Sequence, residues 1–238
     1  MCDLFGMSCN AEDRAWKSLT VLANEHSGKN PHGWGIGYFE NGNAIIEKAP
    51  EKAKKSQTFL SVIEKAKSSV VIAHVRYATK GDSCVENCHP FKGKLFNRDW
   101  IFAHNGTIMN IAHHIRSKGE TDSEQVFHLL LDLVESYQRT GTTHGTFSGI
   151  QNGIKNAFDI CGMDNTLNFL MSDGTILYAF NHYKDKPMFY LKREKPYGSA
   201  FLISTQKLSS ESWKRIRPDS LLMVCNGEVL ELSDPIFK

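Results

Sequence analysis

Short apolar runs, separated by turn residues, dominate the pattern of hydrophobic and polar positions. Residues 34–39 and 44–48 are two such runs, and the pair Asn41-Gly42 lies between them. Because Asn and Gly tolerate positive φ, this arrangement predicts a β-hairpin. Further strands are predicted for the runs 4–9, 167–171, 176–180, 188–191, 200–204, 221–225 and 229–232, with hairpin turns at 173–174 and 226–227.

Two runs in the first half of the chain are apolar without alternation. Residues 70–75 are followed by Arg76, and residues 100–104 are followed by Asn105-Gly106. Continuous apolar runs are typical of interior strands that are covered on both faces. We therefore expect these polar residues just beyond two buried strand ends, where binding sites are commonly built.

Apolar residues at helical spacing mark the segments 16–22, 58–67, 121–134 and 150–161. The third segment opens with Thr121-Asp-Ser-Glu124, which has the form of a capping box. His113 and His114 are also expected in a helix. The order of strands, then helices, then strands favours an α+β domain over a regularly alternating parallel sheet.

Composition and charge narrow the class of protein. The chain has 238 residues, of which 41% are hydrophobic, and this predicts one domain over residues 1–238. The net charge of +2 comes from acidic and basic residues mixed along the chain, so no nucleic-acid-binding face is expected. No apolar run approaches the roughly 20 residues that span a bilayer, and the first residues do not resemble a signal peptide. We expect a cytoplasmic protein without membrane association, whose six cysteines are thiols.

Cys2 is the first candidate for chemistry. Methionine aminopeptidase removes Met1 when the second residue is small, so the mature chain is expected to start at Cys2. Such a residue carries a thiol and a free α-amino group, with reference pKa values of about 8.5 and 8. The amine can then act as the general base for its own thiol, directly or through one water. A cysteine after an initiator methionine usually has no function, so this interpretation depends on the motifs that accompany it.

Five short motifs follow Cys2 along the first half of the chain. They are His32-Gly-Trp-Gly-Ile-Gly-Tyr38, Ala73-His-Val-Arg-Tyr-Ala-Thr79, Asn87-Cys-His-Pro-Phe91, Phe102-Ala-His-Asn-Gly-Thr107 and Thr121-Asp-Ser-Glu124. In this order they resemble the glutaminase domain of class II glutamine amidotransferases, and they are most similar to the small stand-alone members. The resemblance implies the fold of the N-terminal-nucleophile hydrolases, a four-layer αββα sandwich of the α+β class, with Cys2 at the start of a central strand.

The resemblance also implies catalytic and binding roles. Cys2 is the nucleophile, and the oxyanion hole consists of the side-chain amide of Asn105 and the backbone N–H of Gly106. Preorganised donors of this kind are worth about 3–4 kcal/mol each. Arg76 matches the arginine that clamps the substrate α-carboxylate, a task suited to its bidentate fork. Asp122 matches the acidic group that receives the α-ammonium group.

Each of these roles has a simpler structural alternative. Arg76 also fits an ion pair at a strand end, and Asn105-Gly106 also fits a turn. Asp122 stands in the first turn of a predicted helix, where a carboxylate is favoured by the helix dipole. The last two interpretations are compatible if Thr121 caps the helix and Asp122 binds substrate.

Three other residues of the motifs are expected to border the site. Tyr77 and Thr79 follow Arg76 and are predicted to line the substrate pocket. Trp34 and the glycines beside it are expected to let a strand or turn approach Cys2 closely.

The histidines of the motifs are predicted to support the site rather than to react. His74 and His104 are assigned to scaffolding and His89 to the order of a nearby loop, because the family mechanism uses the terminal amine. Cys84 and Cys88, with His89, resemble a metal-binding loop, but no second ligand pair has zinc spacing. Structural thiols are favoured, and no metal is expected.

The implied reaction is release of ammonia from the side-chain amide of glutamine through a γ-glutamyl thioester on Cys2. One alternative keeps this nucleophile and changes the substrate to a γ-glutamyl amide or peptide. An alternative of another class is a non-catalytic ligand-binding or regulatory module that retains Met1. No nucleotide-binding motif is found, so no cofactor is expected. An arginine usually begins the glycine motif of synthetase-fused members, but His32 stands here, which favours the stand-alone branch. The chain is too short to add a phosphoribosyltransferase or sugar-isomerase module, so any ammonia-accepting synthetase is expected to be a separate protein.

Overall fold

Two antiparallel sheets form the centre of the protein. The computed structural model describes residues 2–79, 81–137, 143–194 and 198–237. Its strands are β1 (Asp3–Asp13), β2 (Trp34–Glu40), β3 (Asn43–Ala49), β4 (Ser68–Val75), β5 (Phe91–Leu95), β6 (Arg98–Thr107), β7 (Thr166–Ser172), β8 (Ile176–His182), β9 (Phe189–Glu194), β10 (Ser199–Ser204), β11 (Lys214–Arg215), β12 (Leu221–Cys225) and β13 (Glu228–Leu232). The first sheet has the spatial order β11-β9-β10-β1-β4-β2-β3, and the second has the order β13-β12-β8-β7-β6-β5.

Helices cover the outer face of each sheet. They are α1 (Trp16–Val21), which continues as a π-helical segment (Leu22–His26), α2 (Gln57–Lys65), α3 (Asp122–Tyr137) and α4 (Thr143–Cys161), with a 3₁₀ turn at Ala53–Lys55. Ser56 caps α2, since its hydroxyl accepts a hydrogen bond from the backbone N–H of Phe59 at 3.0 Å. The apolar face of α2 is buried against the first sheet. In the described part of the chain, no helix has the length and apolar character needed to cross a membrane.

Apolar side chains fill three layers between these elements. Strand β1 shows how the layers arise, because successive side chains of a strand point to opposite faces. Leu4 packs between the two sheets, whereas Phe5 packs between the first sheet and its helices. A third layer lies between the second sheet and α3 and α4, and it includes Phe102 and Phe127. This is the four-layer αββα sandwich of the α+β class, and the predicted fold is confirmed.

The structure corrects several of the sequence-based boundaries. Helix α4 begins at Thr143 rather than at Ile150, and the short strand β5 was not predicted. Asn105 and Gly106 lie within β6 instead of beyond its end. His113 and His114 lie in an irregular segment between β6 and α3, not in a helix. The hairpin turns at 41–42, 173–174 and 226–227 are confirmed by the pairings β2–β3, β7–β8 and β12–β13.

Candidate active site

The pairing of β1 with β4 determines the position of Cys2. Asp3 is paired with Val75 in this antiparallel ladder, so Cys2 lies beside Arg76 and Tyr77. The Cys2 thiol donates a hydrogen bond to the carbonyl oxygen of Tyr77 at 3.4 Å, and Sγ accepts one from the Tyr77 backbone N–H at 3.2 Å. Burial raises the pKa of the Cys2 thiol, and the hydrogen bond with Tyr77 opposes this effect. Met1 lies outside the described residues.

Asn105 reaches Cys2 from the opposite sheet. Its side chain is buried, and Nδ2 donates a hydrogen bond to the carbonyl oxygen of Cys2 at 2.9 Å. At the next position only glycine fits, because a Cβ atom on Gly106 would lie 2.0 Å from the carbonyl oxygen of Thr166. The backbone of β6 therefore passes close to β7 at the point where Asn105 meets Cys2.

Arg76 is buried immediately after β4. Its backbone N–H donates to the carbonyl oxygen of Gly33 at 2.8 Å. In the side chain, Nη1 donates to the carbonyl oxygen of Asp82 at 2.9 Å, and Nη2 donates to that of Gly81 at 3.2 Å. These two acceptors are neutral, so the bonds orient the guanidinium group without neutralising its charge.

Asp122 connects the start of α3 to the end of β6. Its Oδ2 atom accepts a hydrogen bond from the backbone N–H of Ile108 at 2.6 Å, and Ile108 is two residues beyond Gly106. Thr121 caps α3, because its hydroxyl accepts a hydrogen bond from the Glu124 N–H at 3.4 Å. Asp122 thus belongs to the first turn, and its half-buried carboxylate is bonded to the chain just after the Asn105–Gly106 segment.

Glu124 does not complete the predicted capping box. Its carboxylate accepts hydrogen bonds from the backbone N–H groups of Lys118 at 3.0 Å and of Gly119 at 2.6 Å. The residue therefore orders the segment that precedes α3.

The three motif histidines are buried and hydrogen bonded in ways that fix their rings. His104 lies between the Ser123 hydroxyl, 2.9 Å from Nδ1, and the Thr166 carbonyl oxygen, 3.2 Å from Nε2. A carbonyl oxygen only accepts, so Nε2 carries the proton and Ser123 donates to Nδ1. His89 Nδ1 lies 3.0 Å from His74 Nε2, and burial lowers the pKa of both rings well below the usual value. Neutral, fixed rings suit the scaffolding predicted for them.

The glycines beside Trp34 have a different neighbour from the one expected. A Cβ atom on Gly35 would lie 2.0 Å from the carbonyl oxygen of His89, and one on Gly33 would lie 2.5 Å from Cys88 Sγ. These glycines therefore admit the segment around His89, not Cys2. The Trp34 ring is fully buried and packs edge-on against Phe59, 5.1 Å between ring centroids, in the layer between the first sheet and α2.

Tyr77 and Thr79 are exposed, and the backbone of Tyr77 contacts the Cys2 thiol. The Tyr77 ring lies 5.2 Å from the ring of His32, and His32 Nδ1 accepts a hydrogen bond from the Ala78 N–H at 3.0 Å. The histidine at the start of the glycine motif thus orders the chain between Arg76 and Thr79.

Sequence reasoning missed the polar cluster beneath Cys2. At its centre is the buried carboxylate of Asp3, which forms an ion pair with Lys186 Nζ at 2.8 Å. Three neutral side chains also donate to this carboxylate, namely Asn30 at 2.9 Å, Thr205 at 3.0 Å and Gln206 at 3.0 Å. Lys186 also donates a hydrogen bond to the carbonyl oxygen of Cys2. Asp3 was recognisable as an acid in an apolar strand, but Lys186 lies in a polar loop between β8 and β9 and carried no such signal.

The cysteines other than Cys2 show no sign of a shared metal site. All six cysteines of the chain are free. Cys88 is buried, and its thiol lies 3.3 Å from the carbonyl oxygen of Cys84. Among residues 2–79, 81–137, 143–194 and 198–237, no three His, Cys, Asp or Glu side chains are arranged to hold a metal ion.

Comparison with known proteins identifies the family. The family model for class-II glutamine amidotransferases matches residues 1–203. The protein YafJ of Escherichia coli strain K12 is 32% identical over 96% of this chain and 99% of its own length. An uncharacterized protein of Methanocaldococcus jannaschii is 30% identical over 97% of this chain and 71% of its own.

Solved structures agree on the fold. A predicted glutamine amidotransferase from Pseudomonas aeruginosa PA01 superposes with a TM-score of 0.72 at 23% identity, covering 97% of this chain and 100% of the other. The glutamine phosphoribosylpyrophosphate amidotransferase of B. subtilis gives a TM-score of 0.70 at 17% identity, covering 98% of this chain and 49% of the other. The chain belongs to the class II glutamine amidotransferases and is an enzyme of that type.

Proposed function

We propose that the protein hydrolyses the side-chain amide of glutamine through a γ-glutamyl thioester on Cys2. The contact between Asn105 and Cys2 supports this proposal most directly, because it brings a donor from one sheet to a thiol-bearing residue of the other. Arg76 adjoins Tyr77, whose backbone contacts the thiol, and Asp122 is bonded to the end of β6. The proposed nucleophile and oxyanion donor are thus in contact, and each charged group adjoins or bonds a segment that leads to one of them.

The first half of the reaction forms the thioester. After removal of Met1, the Cys2 amine accepts the thiol proton, and Sγ attacks the γ-carbonyl carbon. The amide of Asn105 has two N–H donors: one is bonded to the Cys2 carbonyl oxygen, and the other is assigned to the oxyanion, together with the Gly106 N–H. The Cys2 ammonium then protonates the departing nitrogen, the C–N bond breaks, and ammonia leaves.

The second half releases glutamate. The same amine removes a proton from water, and the hydroxide attacks the thioester carbonyl carbon. The C–S bond breaks, and the thiolate recovers the proton through the amine. No external oxidant or cofactor enters this balance.

Arg76 and Asp122 are proposed to hold the amino-acid end of the substrate. The oriented guanidinium group suits the α-carboxylate, and the carboxylate of Asp122 suits the α-ammonium group. A carboxylate offers about four lone-pair sites, so Asp122 can keep its bond with the Ile108 N–H and still bind a cation. These contacts recognise a γ-glutamyl head, and they accept γ-glutamyl amides or peptides as well as glutamine.

The proposal extends to the setting of the reaction. We assign residues 1–238 to one catalytic domain that acts in the cytoplasm, because six free thiols suit a reducing compartment. Any synthetase that takes up the ammonia is proposed to be a separate protein.

Replacement of the nucleophile tests the proposal. Cys2→Ala is expected to abolish release of ammonia from glutamine while the protein stays folded, and Cys225→Ala, at a partly exposed thiol on β12, serves as the matched control. Intact mass spectrometry of the protein from its native host is expected to show a chain that starts at Cys2. Turnover by Cys2→Ala, or a mature chain that keeps Met1, would contradict the mechanism. A preference for γ-glutamyl peptides over glutamine at matched concentration would change the substrate but keep the nucleophile.

A further inference from the structure

We propose that Lys186 is a positioning residue that sets the ionisation of Cys2: its ammonium group favours the thiolate and the neutral α-amine of that residue. This inference rests on the proposed function, because it concerns the nucleophile and the base assigned there. The family motifs in the sequence do not include Lys186, which lies in the loop between β8 and β9.

The contacts of Lys186 place a positive charge beside Cys2. The side chain is buried, and Nζ is hydrogen bonded to the carbonyl oxygen of Cys2. The same atom lies 2.8 Å from Asp3 Oδ1. The ammonium group is therefore held between the backbone of Cys2 and a carboxylate.

Asp3 carries the opposite charge. The net effect on the pKa of the Cys2 thiol therefore depends on which of the two residues acts more strongly. The Asp3 carboxylate also accepts hydrogen bonds from Asn30 at Oδ2 and from Thr205 and Gln206 at Oδ1, so its negative charge is shared among several donors. Burial has the largest influence on the pKa of the Cys2 thiol and raises it. Lys186 lowers that pKa by more than Asp3 raises it.

Other titratable groups surround this cluster. Tyr183 lies on the same loop as Lys186, and burial raises the pKa of its phenol, with smaller contributions from Asp185 and from a thiolate at Cys2. His26, at the end of the π-helical segment, lies 3.7 Å from Asp3, and His74 on β4 has its pKa lowered by burial and, among nearby charges, by Lys186. Of these groups, Lys186 is the cation hydrogen bonded to Cys2 itself.

A positive charge at this position favours the proposed chemistry. A cation within about 4–6 Å favours an anion and disfavours a second cation. Beside Cys2 it lowers the pKa of the thiol, and beside a free α-amine it lowers the pKa of the ammonium group. The amine is then neutral at a lower pH, where it can take up the thiol proton, and the thiolate is stabilised once it forms.

Alkylation of Cys2 measures this effect without substrate. We compare the wild type with Lys186→Met, Lys186→Arg and the control Lys184→Met, an exposed lysine of the same loop. The rate of carbamidomethylation of Cys2 by iodoacetamide is followed by peptide mass spectrometry from pH 5 to 10. Lys186→Met is expected to raise the pH at which the alkylation rate is half-maximal, its midpoint, by about one unit. Lys186→Arg and Lys184→Met are expected to keep the wild-type midpoint.

Turnover supplies the second readout. The acidic limb of kcat/KM for glutamine is expected to move upward by about one pH unit in Lys186→Met, which lowers activity about tenfold at a pH well below the limb. A wild-type pH profile in Lys186→Arg would show that the charge of Lys186, and not its packing, causes the shift. A wild-type midpoint and a wild-type pH profile in folded Lys186→Met would overturn the inference.

A charge-balanced variant covers the case in which Lys186→Met does not fold, since it leaves Asp3 buried without its cation. Asp3→Asn combined with Lys186→Met removes both charges. Its alkylation midpoint is expected to lie above that of the wild type, because Lys186 is the charge that is hydrogen bonded to Cys2 itself; an equal or lower midpoint would refute the inference. Failure of the proposed function is recognised separately, by turnover in Cys2→Ala or by lack of glutamine hydrolysis in the wild type, whereas the alkylation midpoint still reports on Lys186.

Discussion

Asn105→Ala separates the catalytic and structural contributions of one side chain. In the proposed mechanism its amide donates to the developing oxyanion, and in the structure it donates to the carbonyl oxygen of Cys2 at 2.9 Å. Loss of one oxyanion donor typically costs about 100- to 1,000-fold in kcat, or about 3–4 kcal/mol. We therefore expect kcat for glutamine to fall by at least about 100-fold.

The expected effect on stability is much smaller. The Cys2 carbonyl oxygen remains bonded to Lys186 in the variant, so no buried acceptor loses all its partners. An ordinary hydrogen bond contributes about 1 kcal/mol to the free energy of unfolding, and the shortened side chain adds a small cavity. The transition-state loss should thus exceed the loss of unfolding free energy by about 2 kcal/mol or more.

Two assays on the same samples test this difference. Initial rates of ammonia release give kcat, and urea unfolding gives the free energy of unfolding. Ser172→Ala is the matched control, because the buried Ser172 hydroxyl accepts one hydrogen bond, from the Gly174 N–H at 3.0 Å, at the other end of β7. It should lose similar stability and keep its activity. Folded Asn105→Ala with kcat within tenfold of the wild type would refute the assignment of Asn105 to the oxyanion hole.

Three further changes test other parts of the structure. Arg76→Lys should raise KM for glutamine about tenfold, since one bidentate contact worth about 1.5 kcal/mol is lost; initial rates check this, and an unchanged KM would exclude the clamp. Gly35→Ala should lower the free energy of unfolding by about 3 kcal/mol, because its Cβ would lie 2.0 Å from the His89 carbonyl oxygen. Gly28→Ala is the control: its Cβ would meet no atom within 4 Å, so the free energy of unfolding should change by less than about 0.5 kcal/mol. Burial lowers the pKa of His128 to about 4, so the unfolded chain binds more protons below pH 6.5. Stability should therefore be full above that pH and fall by up to about 3 kcal/mol as the pH drops toward 4, and His128→Gln should show a shallower decline in denaturant titrations at pH 7.5 and 4.5.

The sequence predicts the sheets well because their apolar patterns extend over whole strands. Predictions fail where polar residues belong to an element. The apolar pattern puts Asn105 and Gly106 after a strand. A polar side chain can nevertheless lie inside β6 when it is bonded to Cys2, and a glycine can lie there when β7 leaves no room for a Cβ atom. Helix α4 was started too late because its first turn, Thr143–Thr146, shows little apolar spacing.

The motif residues could be found from sequence, but the charge beneath Cys2 could not. Arg76 and Asp122 occur in short ordered motifs. In the structure Arg76 adjoins Tyr77, which contacts the Cys2 thiol, and Asp122 is bonded to Ile108, two residues beyond Gly106. Lys186 meets Asp3 only because β10 and the β8–β9 loop fold back onto the start of β1. Such a pair requires the tertiary fold, and neither local spacing nor composition encodes it.

The contacts of Cys2 address a general difficulty of a terminal nucleophile. In the proposed mature protein Cys2 is the first residue, and terminal residues are poorly ordered unless they are tied down. Here hydrogen bonds from three separate elements hold Cys2. They come from Tyr77 after β4, from Asn105 on β6 and from Lys186 in the β8–β9 loop. The hydrogen bonds from Asn105 and Lys186 share the carbonyl oxygen of Cys2. Removing both should therefore displace the thiol by more than the sum of the displacements caused by each single removal. Because residues that act as a unit give non-additive effects, a double-mutant cycle of Asn105→Ala and Lys186→Met should show coupling in kcat, and simple additivity would mean that each contact acts alone.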